Sequence, residues 1–172
     1  MNKAGIQSLR VLVGVDDADR VRELEQPRSD TDRCSLQPLG MNEIRHSPEV
    51  DAFLLLSAWA HERYGGVPKP GLAQVISTRG EPGSPEWVVT TAPRPARLGA
   101  RGQVMPIGGP IGPRECYAKV FGAIWRFNTG GDRVRIKQLG IHFGFLGIAK
   151  SGFRTELDGL VAALLEEEPY IA

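Results

Sequence analysis

Four consecutive side chains, His61-Glu62-Arg63-Tyr64, form the densest run of reactive groups in this chain of 172 residues. A carboxylate beside an imidazole can move protons where its surroundings bring a pKa near neutrality. The competing reading is a helix end or loop carrying solvated charge. A second candidate is the segment Ile141 to Phe153, IHFGFLGIAKSGF, which lies between a strand-like run and a helix-like run. Gly144, Gly147 and Gly152 would let the main chain approach a ligand closely, and the amides at a helix start favour an anion. Lys150 could meet a phosphate, and Phe145 and Phe153 could cover a sugar or a base. Equally, the glycines could serve only to make the turn while the aromatics plug a sheet edge. The order Lys150-Ser151-Gly152 is not that of a Walker loop, and the dinucleotide fingerprint belongs to the first strand of such a fold.

Other chemistries find little support. His46, His61 and His142 show no HxH, HxxxH or HExxH spacing, so no metal site is expected. Ser57, Ser77 and Ser151 lack the context of a nucleophile elbow. A formal net charge of +1 gives no global field for nucleic acid or an anionic membrane. Arg94, Arg97 and Arg101 cluster in one segment without the interleaved aromatics of a single-strand binder, so nucleic acid is not an expected partner. No apolar run reaches the ~20 residues of a bilayer span, and MNKAGIQSLR lacks a secretory h-region. Cys34 and Cys116 lie far apart in sequence and read as two reduced thiols. These features predict a cytoplasmic protein with no membrane partner, and nothing in them calls for a cofactor.

The elements that would position these residues follow from periodicity. Leu9 to Val15 reads as a buried strand, and ADRVRELEQ as a short helix capped by Asp16 and Asp17. Cys34 to Leu39 and Val50 to Ser57 are the next strands, and the Pro/Gly content of residues 64–71 ends any regular element there. Leu72 to Thr78 and Trp87 to Thr91 predict two strands joined by an irregular hairpin, RGEPGSPE. Ala92 to Pro113 reads as one long loop. Tyr117, Val120, Phe121, Ile124 and Trp125 share one helix face, which Gly130-Gly131 terminates. Val134 to Phe143 reads as a strand whose apolar parity shifts between Ile136 and Leu139, as a bulge or an early coil would cause. Leu157, Leu160, Val161, Leu164 and Leu165 form a last amphipathic helix, with Thr155 and Asp158 as a capping pair. Strands alternating with helices predict a mixed α/β layered domain.

The order of elements from about Cys34 to Glu168 resembles a macro domain, the ADP-ribose-binding α/β/α family. Val50-Asp51-Ala52-Phe53-Leu54-Leu55 is similar to the family's early "V-D-A-apolar-V" strand motif, and Tyr64-Gly65-Gly66-Val67 to the glycine-rich loop that follows. WVVTTAP resembles the second of the next two strands, Tyr117 matches a tyrosine near a helix start, and Phe145 to Phe153 resembles the last loop. Ala149 stands where the family has a glycine. The asparagine of many hydrolytic members is absent from Leu55 and Ala58. No acidic residue for adenine occurs near Leu39-Gly40-Met41-Asn42.

The resemblance implies a three-layer α/β/α macro-like domain with a central mixed sheet over residues 33–172. Residues 1–32 would add a strand and a short helix packed on the same domain. It implies ADP-ribose or a related nucleotide metabolite as ligand, an ADP-ribosylated macromolecule as a partner and, in hydrolytic members, cleavage of ADP-ribosyl linkages. Ligand contacts would come from Asp51, from Tyr64, Gly65 and Gly66, and from the facing loop of Gly144, Phe145, Leu146, Gly147, Ile148, Ala149, Lys150, Ser151, Gly152 and Phe153. The amides of that loop would wrap the diphosphate while Phe153 stacks on the distal ribose, and Glu62 or His61 would activate water. A different expectation is a non-catalytic interaction module that uses the Pro/Gly-rich segment 92–113.

Overall fold

The first strand, β1 (Arg10–Gly14), is buried at Val11, Leu12 and Val13, which explains why its sequence is apolar without alternation. It lies in the interior of a six-stranded sheet of order β2-β1-β8-β3-β5-β4, made with β2 (Cys34–Gln37), β3 (Ala52–Leu56), β4 (Gln74–Ser77), β5 (Trp87–Thr91) and β8 (Gln138–His142). Every neighbouring pair is parallel except β4 with β5, so the sheet is mixed. The computed structural model describes residues 9–25, 33–66, 73–92, 96–98, 100–101, 104–106, 112–131, 135–143 and 152–165.

Helices cover both faces. Val11, Val13, Leu54, Val89, Leu139 and Ile141 point to one side, into the main core with Tyr117, Val120, Phe121, Leu157 and Leu160. That side carries α1 (Ala18–Glu25), α4 (Pro113–Thr129) and α5 (Phe153–Leu165). The alternate residues, Leu12, Phe53, Leu55 and Val88, face α2 (Met41–Arg45) and α3 (Ser57–Tyr64). The result is the expected three-layer α/β/α arrangement.

The second face is thin because two strands give up a side chain there. A Cβ on Gly14 would lie 2.6 Å from Ile44 Cγ1 and 2.7 Å from the Leu39 carbonyl oxygen. A Cβ on Gly140 would lie 2.8 Å from Ile44 Cγ2. Glycine at both positions lets α2 sit directly on β1 and β8, which carries the chain from β2 across to β3.

Several local expectations are corrected. Ser57 opens α3 rather than ending a strand, and residues 61–64 form the helix end that is one of their two readings: Ala60 and Tyr64, four residues apart, bury one side of a turn against Phe53 and Val88. The segment read as one long loop contains a two-stranded hairpin, β6 (Ala96–Leu98) with β7 (Val104–Pro106). The last helix starts at Phe153, so Thr155 lies inside it and not at its cap. The parity shift before β8 is an early coil. Asn128, buried in α4, accepts from the amides of Arg135 and Ile136 at 3.1 and 3.0 Å and donates to the Ile136 carbonyl at 2.9 Å, so those groups leave the sheet ladder.

Candidate functional site

Because β1, β2, β3, β5 and β8 run parallel, their carboxyl ends share one edge of the sheet. This is the edge where open α/β sheets bind ligands. His142 is the last residue of β8 and is only 8% exposed. Its Nε2 lies 3.0 Å from Asp16 Oδ1, in the turn after β1. The carboxylate can only accept, so Nε2–H donates, and the neutral ring then carries its unshared pair on Nδ1. Nδ1 is buried and has no partner among the described residues. Ser57, which follows the adjacent strand β3 directly, repeats the pattern: it is 6% exposed, and its Oγ is also buried without a partner among the described residues. A buried polar atom left unmet costs about 1–3 kcal/mol. Both lie at the ends of adjacent strands on this edge. An imidazole fixed by a carboxylate can accept a hydrogen bond, or a proton, from a hydroxyl at Nδ1.

The site residues expected from sequence are spread more widely. His61 and Glu62 are exposed on the last turn of α3. His61 Nδ1 donates to the Gly66 carbonyl at 2.7 Å, leaving Nε2 as its acceptor. Gly65 and Gly66 both have φ near +88°, which glycine alone tolerates readily, and a Cβ on Gly66 would meet Ile76 Cδ1 at 2.3 Å. They therefore lie beside β4. The last loop leaves β8, three strand positions away, or about 14 Å at ordinary strand spacing. Gly152 has φ +104° and precedes α5. Phe153 packs on Phe143 with ring centroids 5.9 Å apart, and Arg20 lies over its ring. Residues 144–151, the body of that loop, lie outside the described residues.

Asp51 and Tyr64 stand apart from this edge. Asp51 Oδ2 accepts from the amides of Lys137 and Gln138 at 2.8 and 3.0 Å. It thus ties the amino ends of β3 and β8 together, at the opposite edge from the loops. Tyr64 Oη donates to Glu81 Oε2 at 2.5 Å and accepts from Arg45 Nη2 at 2.7 Å. Glu81 sits in the β4–β5 turn, again at the amino edge of β5. Its carboxyl is pulled down to about 2, first by the Tyr64 hydroxyl and then by bonds from Arg63, Ser84 and Arg45, against the opposing effect of burial.

Asp16, His142 and Ser57 were not legible as a group. Sequence gives Asp16 as a helix cap and His142 as one residue of the run read as the last strand. The cap is in fact Asp17, whose Oδ1 accepts from the Asp19 amide at 2.8 Å, which leaves Asp16 to His142. Only the parallel pairing of β1 with β8 brings the two together across 126 positions. Among the described residues no group of three His, Cys, Asp or Glu side chains could hold a metal. No described helix is long and apolar enough to cross a membrane.

No protein-family model matches this chain, nor does any curated protein or solved structure.

Proposed function

We propose that this chain is a divergent macro-like domain that binds ADP-ribose or a related nucleotide metabolite along the carboxyl edge of its sheet. The observation that carries this reading is a pair of buried polar atoms, His142 Nδ1 and Ser57 Oγ, at the ends of adjacent strands and without a partner among the described residues. A ribose offers vicinal hydroxyls that both donate and accept, which suits an unshared pair beside a hydroxyl. The three-layer fold and the glycine-rich stretch that leaves β8 also support it. An ADP-ribosylated macromolecule would present the same sugar. His61 and Glu62 are the groups through which cleavage of an ADP-ribosyl linkage would proceed, with His61 Nε2 or the Glu62 carboxylate taking a proton from water.

Calorimetric titration of the full chain with ADP-ribose tests binding. Saturable heat at micromolar ligand is expected, with loss of at least tenfold in affinity in His142→Ala. Ligand at 100 times its dissociation constant would also stabilise the fold by about 2.7 kcal/mol. No heat at high micromolar concentration would overturn the proposal. Turnover requires its own assay, with release of ADP-ribose from a modified protein as the readout. Binding that persists in a chain lacking residues 92–113 would set aside the alternative, an interaction module built on that segment, which the β6–β7 hairpin favours by giving it a defined edge.

A further inference from the structure

A cavity of 510 Å³ lies on the thin face of the sheet between α2 and α3. That volume is in the range of small-molecule sites. Phe53 and Leu55 of β3 form its floor, and Trp59 of α3 stands at its side with more than half of its surface exposed. Asn42 and Glu43 of α2 line it too, and Glu43 accepts from the Gly40 amide at 3.5 Å. Arg45 and Arg63 complete its charged lining.

Arg45 is the informative residue. Its hydrogen bonds to Tyr64 Oη, Glu81 Oε2 and Ser84 Oγ, at 2.7, 2.9 and 3.4 Å, all leave from Nη2. Its Nε is buried with no partner among the described residues, although a guanidinium offers five N–H donors. Arg63 gives Nε and Nη2 to Glu81 Oε1. Two cations that line the cavity therefore share one carboxylate. Glu43, the other charged group that lines it, is engaged by the Gly40 amide.

We infer that this cavity binds a small aromatic acid, with a flat apolar ring held against the exposed Trp59 and a single carboxylate turned to Arg45 and Arg63. A cation would meet the arginines with the wrong sign, and a neutral ring would give them no counter-charge. The inference is independent of the carboxyl-edge reading, since it uses neither His142 nor the last loop, and failure of ADP-ribose to bind leaves it standing.

The test compares three ligands of one ring system on the full chain by calorimetry and thermal shift: 2-naphthoate, 2-naphthylmethanol and 2-naphthylmethylamine. The acid is expected to bind saturably, at least tenfold more tightly than the alcohol, with the amine weaker still. Trp59→Ala should weaken the acid at least fivefold and leave the melting temperature of the unliganded chain unchanged, because that ring is largely outside the core. Arg45→Lys keeps the charge beside Glu81 and removes Nε; it should erase the preference of acid over alcohol. If that variant does not fold, the ligand series and Trp59→Ala still decide the matter. Equal affinity for acid and alcohol, no binding of the acid, or full affinity in Trp59→Ala would overturn the inference.

Discussion

Tyr117 Oη donates a 2.8 Å hydrogen bond to Glu156 Oε1 in the interface between α4 and α5, where both residues are almost wholly inside the protein. Burial raises the Glu156 carboxyl from 4.5 to about 7, and the bond from Tyr117 offsets part of that rise. Burial, and the nearby Glu156 carboxylate, push the Tyr117 phenol well above its usual range. A carboxyl whose folded pKa is raised binds its proton more tightly in the native state. Its contribution to stability is therefore complete below about 4.5 and is lost as pH climbs through about 7. Unfolding measured by urea between pH 4.5 and 8 should show this fall. Glu156→Gln, neutral and able to accept from Tyr117, should flatten it and be the more stable protein at pH 8, by on the order of 2 kcal/mol. A variant no more stable than the parent at pH 8 would contradict the assignment.

Glu81 has the opposite sign. Its folded pKa is depressed to about 2, so the stability it contributes is present above 4.5 and disappears as pH falls through about 2. Tyr64→Phe removes the largest cause of that depression. It should cost about 1–2 kcal/mol at neutral pH and move the acid unfolding limb to higher pH. An acid limb that does not move would place the source of the depression elsewhere.

The approach of α2 to the sheet depends on two missing side chains. Gly14→Ala meets the Leu39 carbonyl oxygen, a backbone atom with little freedom, and should destabilise by about 1–3 kcal/mol. Gly140→Ala meets side chains of Ile44 and Val50 and should cost less. Ile44→Ala combined with Gly140→Ala should be less destabilising than the sum of the two by at least ~0.5 kcal/mol. Strict additivity in urea unfolding would show that the two residues do not contend for the same space.

Asp51 separates a structural role from a ligand role. Asp51→Ala leaves two strand-end amides unmet and should cost about 1–3 kcal/mol, while affinity for ADP-ribose stays within twofold of the parent. A loss of affinity with unchanged stability would restore the ligand role that its motif implies.

Ser57 offers the complementary signature. Its buried hydroxyl has no partner among the described residues, so Ser57→Ala should leave stability unchanged or raise it slightly. The same variant should weaken ADP-ribose binding several-fold. Destabilisation with unaltered binding would make the hydroxyl a structural group.

Much of this architecture was legible in the residues themselves. The apolar runs at Val11 to Val13 and Phe53 to Leu55, the helix face from Tyr117 to Trp125 and the Leu157 to Leu164 repeat each state their element locally, because burial on one or both sides dictates where hydrophobic side chains fall. The alternation of strand and helix then settled the layered class. α2 and the start of α3 were not legible, since five residues give α2 too few turns for a helical period to stand out, and the apolar run of β3 continues without a break into α3. What only the tertiary structure decided is proximity. Asp16 meets His142, and Asp51 meets Lys137 and Gln138, through parallel pairings of strands distant in sequence. Arg45, Tyr64 and Glu81 converge because α2, α3 and the β4–β5 turn are brought together over one sheet. Periodicity records which side of an element is buried. It carries no information on which strand becomes its neighbour, and that choice assembled both the carboxyl-edge pair and the arginine-walled cavity.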